Sequence, residues 1–248
     1  MERTPSFLAF ESLLDLSKKA SIKKNREYEE NDKFCFYRNF TSLSWYSRLN
    51  INSLPERDEK ILERIKTLCT ESTSPKYISF AAEDVYNDLN NDLERIGFKP
   101  VKSQKGMILD LEGSKEYDKN DSIVRIDKKR LPEWVDTCER GFNKSVNCPI
   151  FDILINDKNC MFFGYIADGR IVSTALLNIC GANGGIHEVA TLESHRNRGC
   201  ATELIKHIIN EGKKSGCEIL TLQASVYGEP VYKKLGFKPV SQIYNYMP

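Results

Sequence analysis

The residues of this chain best suited to chemistry fall between Val189 and Thr202. A short β-branched run, Val189-Ala190-Thr191, leads to a basic turn, Arg196-Asn197-Arg198-Gly199, and then to Cys200-Ala201-Thr202. The stretch after the turn has the pattern of a helix start. A helix N-terminus leaves up to four backbone N–H groups without partners and carries the positive end of the helix dipole. A pyrophosphate accepts such bonds. Gly199 allows a ligand to approach the backbone with no Cβ in the way, and Ala201 is small for the same reason. Arg196 and Arg198 add positive charge, and Thr202 adds a hydroxyl in the first turn. Residue types and order therefore predict a cradle for a large phosphorylated ligand.

Such a cradle needs a strand before it and a helix after it. The sequence supplies both. Ile186 to Leu192 reads as a strand. Ala201, Leu204, Ile205, Ile208 and Ile209 form the apolar stripe of a helix ending near Gly212 or Gly216. Upstream, Ile123 to Ile126 reads as a short strand. Leu131 to Phe142 reads as a helix with Leu131, Trp134, Val135, Cys138 and Phe142 on one face. Cys160 to Ala167 and Ile171 to Cys180 flank Asp168-Gly169, a hairpin turn. Downstream come a strand at Glu218 to Gln223, a short helix at Tyr227 to Leu235, and strand material from Gly236 to Tyr246. The first half offers helices at Phe7 to Leu16, Glu59 to Cys69 and Asp84 to Ile96. Its strands are Lys76 to Phe80, Phe98 to Val101 and Met107 to Leu111.

The two halves share a pattern. Ile78-Ser79-Phe80, Val85-Tyr86 and Leu93-Glu94-Arg95-Ile96-Gly97-Phe98-Lys99-Pro100-Val101 run parallel to Leu220-Thr221-Leu222, Val226-Tyr227 and Tyr232-Lys233-Lys234-Leu235-Gly236-Phe237-Lys238-Pro239-Val240. Gly-Phe-Lys-Pro-Val is identical in both. An internal repeat is the economical reading; recurrence of a glycine helix cap for packing alone is the plainer one. No glycine precedes Gly97, so the first copy lacks the means to build a phosphate loop. The polar run from 114 to 121 reads as a linker. The expected domains are then 1–113 and 122–248.

Composition narrows the class. The chain has 248 residues, enough for two domains of about 120 residues each. Lys and Arg total 36 against 35 Asp and Glu, a net charge of +1. Nucleic acid and membrane surfaces therefore find no global electrostatic attraction here. The eight cysteines contain no C-x-x-C pair, which removes the zinc-ribbon reading, and no metal site is expected. The N-terminus shows no export signal, and no apolar run approaches the roughly 18 residues of a membrane span. A soluble, reduced, cytoplasmic protein is expected.

Val-Ala-Thr followed by Arg-x-x-Gly-x-Ala at a helix start resembles the acetyl-CoA-binding signature of the GNAT superfamily of N-acetyltransferases. Tyr232-Lys233-Lys234-Leu235-Gly236-Phe237 resembles that superfamily's C-terminal Tyr-x-x-Leu-Gly-Phe segment. Leu222-Gln223-Ala224-Ser225, five residues before Pro230, is similar to a common bacterial variant. The resemblance covers residues 122 to 248, and the first half looks like a degenerate copy in tandem. It implies an α+β fold with a central mixed β-sheet flanked by helices. Acetyl-CoA would be the cofactor, bound through the backbone of Val189, Ala190 and Thr191 and cradled by Arg196, Asn197, Arg198, Gly199, Cys200, Ala201 and Thr202. Ser225 and Gly228 would lie along the pantetheine-thiol side. An acetyl group would pass directly to a primary amine of a small molecule or peptide.

The implied mechanism sets three tasks. A lysine-type amine, with a pKa of about 10.4, must lose a proton. The thioester oxygen needs a donor, for which a backbone N–H of 189–191 is the candidate. The departing thiolate needs an acid, and Tyr232 is the candidate; its plainer role is packing against Phe237. The matching residue of the first copy, Leu93, cannot donate a proton. His187 and Glu188 are the candidate bases, the first because its pKa lies near neutrality. Adjacent strand residues face opposite ways, so at most one of the two is expected to face the cleft. His195 is expected at the surface or near phosphate, and His207 in solvent. Cys200, at a helix N-terminus, would have a lowered thiol pKa, but direct transfer needs no nucleophile. The alternative is a module that holds CoA without turnover. A nucleotide site of another fold lacks its glycine motif here.

Overall fold

The computed structural model describes residues 4–21, 26–30, 33–39, 48–70, 77–144, 146 and 148–248. In chain order the elements are α1 (Pro5–Ser21), β1 (Arg26–Glu30), β2 (Phe34–Asn39), β3 (Arg48–Ile51), α2 (Glu59–Thr70), β4 (Tyr77–Ala81), α3 (Leu89–Arg95), β5 (Lys99–Pro100) and β6 (Gln104–Asp110). There follow β7 (Ile123–Arg125), α4 (Leu131–Phe142), α5 (Cys148–Leu154), β8 (Cys160–Ala167), β9 (Arg170–Cys180) and β10 (Asn183–Thr191). The chain closes with α6 (Cys200–Lys214), β11 (Ile219–Ala224), α7 (Glu229–Lys234) and β12 (Lys238–Met247). The class is α+β with mixed sheet, as the resemblance implied. Contacts divide the chain into two units: residues 1–107, 223–227 and 239–248 in the first, 108–222 and 228–238 in the second.

In the first unit the strands run in the order β1-β2-β3-β4-β12. β1, β2 and β3 pair antiparallel. β4 lies parallel to β3, with α2 as the crossover, and β12 is antiparallel to β4. One core joins Leu49, Ile51, Ile78 and Phe80 of the sheet to Leu62, Ile65 and Leu68 of α2 and Leu93 of α3. A smaller cluster joins Phe10 and Leu13 of α1 to Ile243.

Three strands and α5 escape the sequence pattern. β1 is Arg-Glu-Tyr-Glu-Glu, without alternation, and β3 is only four residues long. The helix expected over Asp84 to Ile96 forms only from Leu89. Val85 is extended and bridges Leu54, whose carbonyl accepts the Tyr86 N–H at 2.8 Å. A β-branched residue offered a tertiary strand partner takes it over the helix. Lys76, the first residue of the expected strand Lys76 to Phe80, lies outside the described residues.

In the second unit the order is β11-β10-β9-β8-β7. β7 to β10 form an antiparallel meander, and β11 lies parallel to β10 with α6 as the crossover. Asp168 and Gly169 both have positive φ, 51° and 75°. They make the turn between β8 and β9, as that dipeptide demands. β10 begins three residues before the expected start, because Asn183-Gly184-Gly185 reads as a turn. Gly184 packs closely there: a Cβ would stand 2.5 Å from Leu220 Cδ2, so that side chain would have to shift. Trp134 of α4 anchors the core on one face, edge-on to Phe151 and Phe162, with its Nε1 donating to Phe163 O at 2.9 Å. Residues 114–121, expected as a linker, are fastened to α6. Tyr117 N–H donates to Asn210 Oδ1 at 3.1 Å, and Asn210 Nδ2 donates to Tyr117 O at 2.7 Å.

The Gly-Phe helix ends match in detail. Gly97 and Gly236 have φ of 104° and 93°. Phe98 N–H donates to Leu93 O at 3.0 Å, and Phe237 N–H donates to Tyr232 O at 3.1 Å. Both are helix ends closed through a left-handed glycine with a buried aromatic behind it.

Candidate functional site

The site is built from β9, β10, α4 and the N-terminus of α6. β10 pairs with β11 from Asn183↔Ile219 to Ile186↔Leu222, and there the pairing stops. Beyond it, His187 to Thr191 pair only with β9. Among the described residues, Val189, Ala190 and Thr191 thus have no ladder partner on the side facing away from β9. On the β9 side the register shifts between His187 and Ala190: His187 stands opposite Leu176, and Ala190 opposite Thr174. Two residues, Glu188 and Val189, therefore face Ala175 alone, which is a β-bulge. Glu188 sits in the left-handed region at φ 52°, a costly conformation for a side chain of its size.

The bulge overturns the expected alternation of His187 and Glu188. Directly paired residues share a face. Leu176 and Thr174 are two apart on β9, so His187 and Ala190 lie on one side of the sheet. Glu188 joins them, since its Oε2 accepts Cys138 Sγ of α4 at 3.4 Å. His187 and Glu188 are both buried. Burial, and then the adjacent Glu188 carboxylate, push the Cys138 thiol well up, so Cys138 remains a donor to Glu188. α4 is held in place for this contact by Thr137 Oγ1, which donates to Ile171 O at 3.0 Å, and by Glu133 Oε1, which accepts Ile171 N–H at 2.7 Å.

α4 approaches β10 at Gly141. A Cβ there would lie 2.9 Å from Ala190 Cβ and 3.1 Å from Thr191 N. Neither neighbour is the tip of a flexible side chain. Gly141→Ala is therefore expected to destabilise the fold by about 1–3 kcal/mol through overpacking, despite alanine's better helix propensity. Chemical denaturation measures it, and equal or greater stability would refute the contact.

The turn into α6 is exposed from Arg196 to Gly199. Asn197 and Gly199 take positive φ, 60° and 84°. Nothing lies within 4 Å of a Cβ built on Gly199, so within the chain glycine is needed there for its backbone conformation. The first turn of α6 closes with Glu203 N–H donating to Gly199 O at 3.0 Å. Gly199, the N-cap, has no side chain to cap the helix, so among the described residues no capping side chain takes up the N–H groups of Cys200, Ala201 and Thr202. Arg198 has no ion pair among the described residues. α2 of the first unit makes the contrast: Asp58 Oδ1 accepts Lys60 N–H at 3.0 Å and Ile61 N–H at 3.2 Å. That carboxylate occupies the place an anion would take.

Several expected roles change. The Arg196 guanidinium donates to Thr191 O at 3.3 Å and Gly141 O at 2.9 Å, tying the turn to β10 and α4. Cys200 is buried, and burial pushes its thiol pKa up, overriding the helix terminus. His195 is buried, with Nδ1 2.9 Å from Ser194 Oγ and Nε2 3.6 Å from Asp168 Oδ2. His207 packs edge-on against Phe163 at 5.0 Å between ring centres, and burial lowers its pKa. Tyr232, in α7, is buried edge-on to Phe237 at 5.9 Å between centres, and burial pushes its phenol pKa up. Gly228 is the N-cap of α7. Ser225 belongs to the first unit.

Residues 124–237 match the model of the Acetyltransferase (GNAT) family. They form a GNAT acetyltransferase domain. A GCN5-related N-acetyltransferase from Kribbella flavida is similar over 96% of this chain and 94% of its own, at 14% identity and TM-score 0.72. A conserved protein of unknown function from Staphylococcus epidermidis is similar over 91% and 94%, at 16% identity and TM-score 0.65. These likenesses show the fold. The uncharacterized N-acetyltransferase YobR of Bacillus subtilis is 25% identical over 84 residues, 33% of this chain. The matched segment spans 34% of that relative. Sequence reasoning about the GNAT domain missed Cys138, Gly141, Ser173 and Thr174. The last two left a signal: two hydroxyl residues inside the otherwise apolar run Ile171 to Leu177.

Proposed function

We propose that this protein transfers an acetyl group from acetyl-CoA to a primary amine at a single site in its GNAT domain. One observation carries the reading. The opening of β10 from β11 after Ile186 leads toward an α6 N-terminus that is uncapped and entered through a left-handed glycine. A pantetheine arm is an amide chain that hydrogen-bonds an open strand edge, and a pyrophosphate suits uncapped N–H groups. Val189, Ala190 and Thr191 would bind the arm; Asn197 to Thr202 would bind the phosphates. Arg198 would supply charge, and Gly228 would border the thiol end.

Glu188 takes the proton of the amine, with His187 beside it as the other candidate. The amine nitrogen bonds to the thioester carbon, and the carbon–sulfur bond breaks. A bulge N–H steadies the oxygen as it gains charge. Tyr232 donates its proton to the departing sulfur and regains one from the base through solvent. Small amines and peptide amines are the acceptor classes. The first unit is read as a degenerate copy of the same plan: meander, crossover helix, parallel strand, helix with a Gly-Phe end. Asp58 replaces its anion site.

Thiol release from acetyl-CoA across a panel of amines and peptides tests the activity. Release with none of them, while CoA still binds by calorimetry, would replace the reading with a non-catalytic CoA module. Gly199→Ala tests the cradle. It imposes about 1–2 kcal/mol of left-handed strain and puts a Cβ on the approach. Calorimetry should show CoA affinity reduced at least about tenfold, that is by about 1.4 kcal/mol. Unchanged affinity would move the phosphates elsewhere.

A further inference from the structure

The bulge at Glu188–Val189 is stitched from behind by two hydroxyls of β9. Thr174 Oγ1 donates to Glu188 O at 2.9 Å and lies 3.5 Å from Ala190 O. Ser173 Oγ donates to Ala190 O at 2.9 Å and lies 2.8 Å from Thr191 Oγ1. Both hydroxyl residues are fully buried. In a regular ladder the carbonyls of β10 would take N–H groups of β9, and a strand hydroxyl would be redundant. A bulge disrupts that ladder, and a buried carbonyl left alone is costly. The left-handed Glu188 persists only where its surroundings over-determine it. Thr174 supplies that constraint on the carbonyl of Glu188 itself, the group covalently joined to the Val189 N–H.

We propose that Thr174, with Ser173 beside it, is a positioning residue that fixes the direction of the Glu188–Val189 peptide and hence the donor offered to the acetyl oxygen. The proposal rests on the acetyl-transfer reading above. A peptide plane is rigid, so holding its carbonyl toward β9 turns its N–H toward the open edge of β10. Ser173 extends the same hold to Ala190 and Thr191, where the strand receives the arm of the ligand.

The test uses the full chain with Thr174→Val, which keeps the shape and loses the hydroxyl, and Thr174→Ser, which keeps the hydroxyl. The Val variant should lose about 10²-fold in kcat, the scale of one lost oxyanion donor. It should also bind acetyl-CoA several-fold more weakly while its affinity for CoA, which lacks the acetyl oxygen, stays unchanged. The Ser variant should restore both. Wild-type turnover in the Val variant would overturn the proposal. So would equal loss of CoA and acetyl-CoA affinity, which marks a general loss of strand structure. If the wild-type chain acetylates no amine, the transfer reading falls, and the comparison of acetyl-CoA with CoA binding still decides the role of Thr174.

Discussion

Tyr232→Phe is expected to reduce kcat by about 10²-fold and to leave acetyl-CoA affinity and the melting midpoint unchanged. Phenylalanine keeps the ring, and with it the edge contact to Phe237. Only the proton is lost. General acid catalysis contributes about 10²–10⁴-fold, and two facts place this case at the low end. Thiolates leave readily, with an ordinary thiol pKa of about 8.5. Burial also raises the Tyr232 phenol, which makes its proton harder to give. The same shift has a second consequence. The phenol is the neutral form, burial disfavours the anion, and so the group stays protonated beyond its ordinary pKa of about 10. The wild-type pH profile should show no Tyr232-dependent fall below about pH 10. Undiminished turnover in the Phe variant would return Tyr232 to packing alone.

Glu188→Gln is expected to cost as much or more, about 10²–10³-fold in kcat, as loss of a general base does. The amide still offers an oxygen to Cys138 Sγ, so the packing of α4 survives. Glu188→Gly separates strain from chemistry. At φ 52° a glycine relieves on the order of 1 kcal/mol of backbone cost. Stability to denaturant should hold or rise while turnover falls as far as in the Gln variant. A Gln variant with full turnover would hand the role of base to His187, which shares the same face of the sheet. A Gly variant that loses stability would make Glu188 a core residue.

Much of the second unit is legible in the sequence because its signals are local. The apolar stripe of α6, the Asp168-Gly169 turn and the ends of α4 and β8 follow from spacing and propensity. The first unit is less legible for physical reasons. β1 carries charge in place of alternation, and β3 is too short to show a period. Val85 leaves its expected helix for a partner, Leu54, that lies 31 positions earlier in the sequence. Within the site, the glycine turn and the helix start are written in neighbouring residues. Which groups it spends and which it leaves open is not.

By itself the sequence determined a glycine-entered helix start after a β-branched strand, two Gly-Phe helix ends, and a tyrosine, Tyr232, at the second of them where the first has Leu93. These depend on residues within a turn or two of one another. Tertiary structure alone decided the rest. It placed the bulge that turns His187 and Glu188 to one face, and it set Arg196 against the carbonyls of Thr191 and Gly141. It buried the thiol of Cys200 against the pull of its helix, and it brought Ser173 and Thr174 behind the bulge of β10. Each of these depends on a register or a distance between elements far apart in the chain, and residue type carries no record of either.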